Sequence, residues 1–279
     1  MKLIITEEQY KLLRENMSEE PNLYLIDLDD DVREINDQDK LEFAYDRFKK
    51  FENKFDGIQL RCEFLRLYMF KYKNPEKSRK IGEIFSKVIE FVGDMTTSEE
   101  NYYKFPLLKK VNGTIEFTGD LPELEIVTED LFFFGENLGK LKKVGRNLKC
   151  GLDCISLPEL EYVNGSFEAT RYLEELPKLK KVKNNLIINK CNVEHLDSLE
   201  EVGSEMDLED SKIKSLSKLK RVGGRLNLLN SNIEDLPELV GVGDFLDLEN
   251  TPLSKRLREQ GMNEDDVIKK YNVKGRVYL

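Results

Sequence analysis

Several common signatures are missing from this 279-residue chain. No apolar run approaches the ~20 residues that a membrane-spanning helix needs. The opening Met1-Lys2-Leu3-Ile4-Ile5-Thr6-Glu7-Glu8 turns acidic too early for a secretory leader, so a cytoplasmic protein with no membrane contact is expected. Lysine and arginine number 44 against 54 aspartates and glutamates, a formal net charge of −10. Non-specific nucleic-acid binding needs a cationic excess to neutralise phosphates, which disfavours that partner class. Histidine occurs once, as His195, with no partner pattern around it, so a surface or packing role is expected. The four cysteines, Cys62, Cys150, Cys154 and Cys191, are too sparse and irregular for a disulfide framework. Cys150 and Cys154 are the one close pair, and a zinc site would need two further nearby ligands. They are expected to be buried structural thiols, and no cofactor is implied.

What the chain has is a repeat. Leu236-Pro237-Glu238-Leu239-Val240-Gly241-Val242-Gly243-Asp244-Phe245-Leu246-Asp247-Leu248 is the cleanest copy of the skeleton L-P-x-L-x-x-V-G-x-x-L-x-L. Copies open at Phe105, Leu121, Leu138, Leu157, Leu176, Leu196, Leu216 and Leu236, with spacings of 16, 17, 19, 19, 20, 20 and 20 residues. The L-x-L segment has the period of two of a strand with one buried face. Glycine after the valine, in Gly145, Gly203, Gly223 and Gly243, is expected to supply a turn with positive φ. Proline at position 2 blocks strand pairing on the returning side. One such coil cannot bury its own leucines, whereas stacked coils bury them against each other, so a solenoid with a parallel sheet on one side is expected.

Positions 5 and 6 read Lys109-Lys110, Glu125-Ile126, Lys142-Lys143, Glu161-Tyr162, Lys180-Lys181, Glu200-Glu201, Lys220-Arg221 and Val240-Gly241. Basic and acidic copies alternate, so stacked neighbours face opposite charge. A slip by one whole copy would oppose like charges, which identifies this ladder as register control.

Upstream, Thr6 to Gln9 forms a capping box for a helix through about Asn16, and Leu23 to Leu28 is a strand candidate running into Asp29-Asp30-Asp31. Leu41, Ala44, Phe48, Phe51 and Phe55 share a helical face. Ile58 to Tyr72 fits both periods, and a helix is preferred. Asn74-Pro75 starts another helix with the stripe Ile81, Ile84, Phe85, Val88 and Val92, ended by Gly93. After Leu253 the pattern breaks into Ser254 to Gln260, then a helix starting at Asn263, then Val273 to Leu279, which echoes the strand of the unit. The fold class is therefore α+β: a mostly helical N-terminal domain over residues 1–100, a solenoid of about eight copies over 101–255, and a helix-plus-strand cap over 256–279.

From Phe105 to Lys255 the unit resembles the short leucine-rich repeat of bacterial and phage proteins, with L-P-x-L before the strand and Asn230-Ser231 or Asn250-Thr251 after it. The resemblance implies a protein-binding scaffold, no chemistry, and an asparagine ladder from which Asp210 and Lys190 depart. Ile4-Ile5-Thr6-Glu7-Glu8-Gln9 and Val273 to Leu279 are similar to the ends of accessory proteins of large tailed phages. That implies a partner in the host or the virion, with residence in the host cytoplasm or the virion.

Outward strand positions are the functional candidates. Position 12 supplies Phe132, Glu168, Ile187, Asp207 and Asp247, and position 14 supplies Phe134, Glu209, Leu229 and Glu249. Exposed apolar groups on a solvated face mark partner sites, and the acids make the C-terminal half of the face negative. Two other classes stay open. One is a structural component that assembles through its ends. The other is an enzyme holding a divalent metal on Asp27, Asp29, Asp30 and Asp31.

Overall fold

The computed structural model describes residues 23–28, 44–46, 48–50, 52–67, 75–97, 104–169 and 172–279. They form a parallel β-solenoid of about eight coils within one continuous 20-stranded sheet. The expected helix over 6–16 and the acidic run Asp29 to Asp31 lie outside the described residues.

The sheet begins with β1 (Leu23–Asp27), β2 (Gly57–Leu67), helix α1 (Pro75–Phe85) and β3 (Val88–Thr97). β2 lies between β1 and β3, parallel to both. This corrects the helix expected over Ile58 to Tyr72 for the residues described, Ile58 to Leu67. The alternating set Ile58, Leu60 and Cys62 is buried while Arg61 and Glu63 are exposed, because a neighbouring strand on each side satisfies the backbone and the period of two selects the inward face. The α1 stripe is also shorter than expected. Ile81, Ile84 and Phe85 are buried, but the helix stops at Phe85 and the β-branched run Val88-Ile89 begins a strand. Gly93 does not end a helix. It bends β3 at φ 123°, where an added Cβ would stand 1.7 Å from the Cys62 carbonyl oxygen. Strands thus outnumber helices among the described residues upstream of the solenoid, and the helical domain expected there is not observed. Helical residues 44–46 and 48 place Phe48 against Tyr24, with ring centroids 5.7 Å apart.

β3 pairs with the first coil of the repeats. Its two halves pair with Lys110–Asn112 and Ile115–Phe117 of coil 1. Phe85 of α1 stacks on Phe105, the first residue of that coil, at 4.9 Å.

Each coil contributes two short strands, not the single one read from L-x-L. In coil 8 these are Gly241–Val242 and Leu246–Asp247. The first strand holds position 7 inward and position 6 outward; two residues are too few to display a period in sequence. Positions 1, 4, 7 and 11 are buried in every coil. The L-P-x-L segment is a turn in which the amide of position 4 donates to the carbonyl of position 1, for instance Leu124 to Leu121 at 3.2 Å. Proline at position 2 has the fixed φ that this turn uses.

The glycine after the valine has a different cause from the one expected. Gly145, Gly203, Gly223 and Gly243 do not have left-handed φ. They admit the backbone of the preceding coil: a Cβ on Gly243 would stand 1.8 Å from the Gly223 carbonyl oxygen, and one on Gly223 2.0 Å from that of Gly203. The left-handed residues are instead at position 15. Lys190, Asp210, Asn230 and Asn250 have φ of 58°, 55°, 58° and 60°, a conformation that asparagine and aspartate tolerate best. Asn250 Nδ2 donates to Asn230 Oδ1 at 2.9 Å and Asn230 Nδ2 to Asp210 Oδ1 at 2.8 Å, so the ladder takes in Asp210 as its terminal acceptor.

The charge alternation forms as the sequence predicts. Lys142 reaches Glu125 at 2.7 Å, Lys180 reaches Glu161 at 2.6 Å and Lys220 reaches Glu200 at 3.0 Å. β3 extends the pattern upstream, with Glu90 in register beside Lys110 and 3.1 Å from it.

At the far end Thr251 takes the buried position of Ser211 and Ser231 and caps helix α2 (Pro252–Glu259), accepting from Ser254 N at 3.0 Å. Helix α3 (Glu264–Tyr271) starts with a capping box between Asn263 and Asp266. The closing strand Val277–Tyr278 then pairs with Leu246–Asp247, and Val273 bridges to Val242, as the echo of the unit implies.

Candidate functional site: the outward strand face

Position 12 forms one line across the sheet. Glu116, Phe132, Lys149, Glu168, Ile187, Asp207, Asn227, Asp247 and Tyr278 are successive partners in register. Parallel strands lie about 4.8 Å apart, so this line samples the face at that interval.

Coil 2 keeps its phase despite its 17 residues. Leu131 and Phe133 point inward and are buried, Phe132 is half-buried, and Phe134 is 38% exposed. Phe134 lies over Gly151, where an added Cβ would stand 2.8 Å from its Cδ1. A glycine in coil 3 therefore makes the seat of this ring. Next along the line, exposed Glu168 pairs with Lys149 at 3.2 Å, and Ile187 is half-buried.

The C-terminal half repeats one local device. Asp207 Oδ1 accepts from Glu209 N at 3.2 Å, Asn227 Oδ1 from Leu229 N at 3.2 Å and Asp247 Oδ1 from Glu249 N at 3.1 Å, the turn by which aspartate and asparagine bind their own backbone two residues on. Asn227 is fully buried, and its Nδ2 donates to Asp207 at 2.9 Å and to Glu209 at 3.2 Å. Leu229 is half-buried and Glu249 exposed. Elsewhere on the solenoid many acids pair with a lysine or arginine of the neighbouring coil. Among the described residues no such pair is made by Asp207, Glu209, Asp247 or Glu249.

The nine candidate residues thus fall on one face, in two groups: aromatic at coil 2 and acidic at coils 6 and 8, with Glu168, Ile187 and Leu229 between or beside them. Sequence reasoning missed Leu152, Ile155 and Tyr172, which are 61%, 50% and 42% exposed in the turns that follow the strands of coils 3 and 4. The available signal was apolar residues in turns that elsewhere carry Asn, Asp, Lys or Ser. Tyr278, 38% exposed on the position-12 line, was also missed.

Other candidates show less. All four cysteines are buried thiols outside any disulfide. The Cys150 thiol titrates well above its ordinary value through its hydrogen bond with Cys154 and through burial, and burial raises Cys191 as well. Cys150 and Cys191 therefore stay protonated at neutral pH. No group of three or more His, Cys, Asp or Glu suited to a metal occurs among the described residues. Asp27 lies 3.5 Å from Arg61. His195 is exposed, with Nδ1 3.7 Å from Asp197. The hydroxyls of Ser215 and Ser217 donate to that carboxylate and not to the imidazole, so they do not form the serine–histidine contact of a nucleophilic triad. The Ser215 hydrogen bond is also the main cause holding the Asp197 carboxyl below the usual range. Beside α2, a polar cleft lined by Asn230, Asn250, Lys255 and Arg258 has no free helix amide to offer an anion, since Leu253 N donates to Ile233 O and Ser254 N to Thr251.

No helix among the described residues is long and apolar enough to cross a membrane. Neither a protein-family model, nor a curated protein, nor a solved structure matches this chain.

Proposed function

We propose that the chain is a protein-binding scaffold of the short leucine-rich-repeat type, with the outward strand face as its binding surface and no reaction of its own. The observation that carries this reading is Phe134, an aromatic ring left solvent-accessible on an ordered sheet and seated on a glycine. Exposed aromatic groups on rigid elements cost little ordering entropy on binding and anchor interfaces. The resemblance of the two termini to the ends of accessory proteins of large tailed phages supports a host or virion protein as the partner and a cytoplasmic setting.

A photoreactive benzoyl-phenylalanine at position 134 tests the reading, with the same group at exposed Val240 as control. A discrete cross-linked species from 134 and none from 240 is the expected result in cells that hold the partner. Equal labelling from both positions removes the face from consideration.

A second reading rests on the sheet ends. β1 and the closing strand each pair with one strand only among the described residues, and unpaired edges invite edge-to-edge association. Assembly through the ends predicts a mass that grows with concentration in light scattering and reverts to monomer on deletion of 263–279.

A further inference from the structure

We infer that the partner presents to this face an extended, cationic segment with one apolar anchor, in which two basic side chains lie about three residues apart and the anchor about six residues from the nearer one. The inference rests on the reading of the outward strand face as the binding surface.

Charge and spacing both enter. Asp207 and Glu209 of coil 6, and Asp247 and Glu249 of coil 8, stand on this face without a cation among the described residues, in a chain that matches acid to base between neighbouring coils at positions 3, 5, 6, 9 and 10. The acids are also held in place. Asp207 and Asp247 each accept the amide two residues on, and Asn227 ties Asp207 to Glu209. That fixes carboxylates which self-repulsion would otherwise spread, at a cost that a cationic partner would offset.

The sheet register fixes the distances. Coils 6 and 8 are two strand spacings apart, about 10 Å, and coil 2, with Phe132 and Phe134, is four spacings from coil 6, about 19 Å. An extended peptide advances about 3.3 Å per residue. Lying along the line, it spans the acidic pair of coils in about three residues and reaches the Phe134 seat in about six more. Between those points Lys149 and Glu168 neutralise each other at 3.2 Å, so the middle of the segment meets no net charge. A neutral or acidic partner would leave the four carboxylates desolvated and unpaired, which opposes its binding. A second copy of this chain, with its formal net charge of −10, is repelled on average as well.

The test is a yeast-displayed library of random peptides selected on the full chain. Recovered peptides are then measured by fluorescence anisotropy against wild type, Phe134→Ser, and the double variant Asp207→Asn/Asp247→Asn. Asparagine is already native at the same position in Asn227 and keeps the turn, and thermal melting confirms that each variant is folded. The expected result is a shared pattern of one apolar residue and two basic residues at the stated spacing. Each variant weakens binding about tenfold or more, and the double variant also loses most of the salt dependence. Peptides of the same composition with scrambled spacing bind weakly. Recovered peptides that depend on Phe134 but carry no basic pair and ignore the aspartate variants overturn the cationic segment and leave the face reading standing. Equal binding by scrambled peptides overturns the spacing. Recovery of no peptide that depends on either set of residues overturns both the inference and the face.

Discussion

Coils 2 and 3 are bridged by charged side chains, whereas coils 7 and 8 are bridged by neutral amides. Between the former run three ion pairs, Lys140 to Glu123 at 2.6 Å, Lys142 to Glu125 at 2.7 Å and Arg146 to Glu129 at 2.9 Å. Between the latter the described residues make no ion pair. There Asn250 donates to Asn230 at 2.9 Å instead. The corner is equally close in both pairs: a Cβ on Gly145 would stand 1.8 Å from the Thr128 carbonyl oxygen, and one on Gly243 1.8 Å from that of Gly223. What differs is the side-chain bridge, ionic where the coils are 17 and 19 residues long and amide where they are 20.

The comparison breaks most sharply at the corner glycine. Gly223→Ala places a methyl group 2.0 Å from the Gly203 carbonyl oxygen, and urea unfolding is expected to show a loss of about 3 kcal/mol. Gly139→Ala, whose nearest neighbour is a movable Asn137 side-chain oxygen at 3.2 Å, is the mild control. Asn230→Ala removes the centre of the amide ladder and puts alanine at φ 58°; about 1 to 2 kcal/mol is expected by the same measurement. Thr251→Ala deletes the α2 cap at about 1 kcal/mol, read as loosened amide exchange over 252–259.

Acid should act on the charged coils and spare the amide ones. The Glu161 and Glu200 carboxyls are held below their usual range, first by the hydrogen bonds from Lys180 and Lys220 and then by the charges around them. A depressed carboxyl stabilises above its unfolded value, about 4.3, and that contribution disappears as pH falls through the folded value. The melting temperature should therefore drop on acidification below about pH 4 to 5, and Glu161→Gln/Glu200→Gln should flatten that part of the profile. The smallest effect belongs to Ser231→Ala. Its hydroxyl is buried and has no hydrogen-bond partner, so removal should be neutral or slightly stabilising in urea.

The inward leucines, their register and the charge ladder were legible in the sequence because each repeats at a fixed offset, and eight copies expose what one would hide. The first strand of each coil is not legible in the sequence, because a strand of two or three residues is too short to show a period. The glycine beside it stands out in the sequence, but its cause does not, since sequence does not show a carbonyl arriving from the preceding coil. Upstream there is no repetition to average over. Ile58 to Leu67 satisfies two periods at once, and only the strands on either side decide between them. Of the candidate site, the two groups of residues and their common face followed from position in the repeat. The Gly151 seat beneath Phe134 and the burial of Asn227 did not, since both depend on contacts between coils.

Alternating charge also gives the chain a parity. Deleting coil 5 would bring Glu161 beside Glu200, acid against acid, whereas deleting coils 4 and 5 together would bring Lys142 beside Glu200 and restore attraction. Genetic events that lengthen or shorten such an array by unequal crossing-over would be filtered accordingly, and coils gained or lost in pairs would survive where single ones do not. The neutral Val240-Gly241 of coil 8 is exempt from that arithmetic, which makes the C-terminal end the place where the count can change by one.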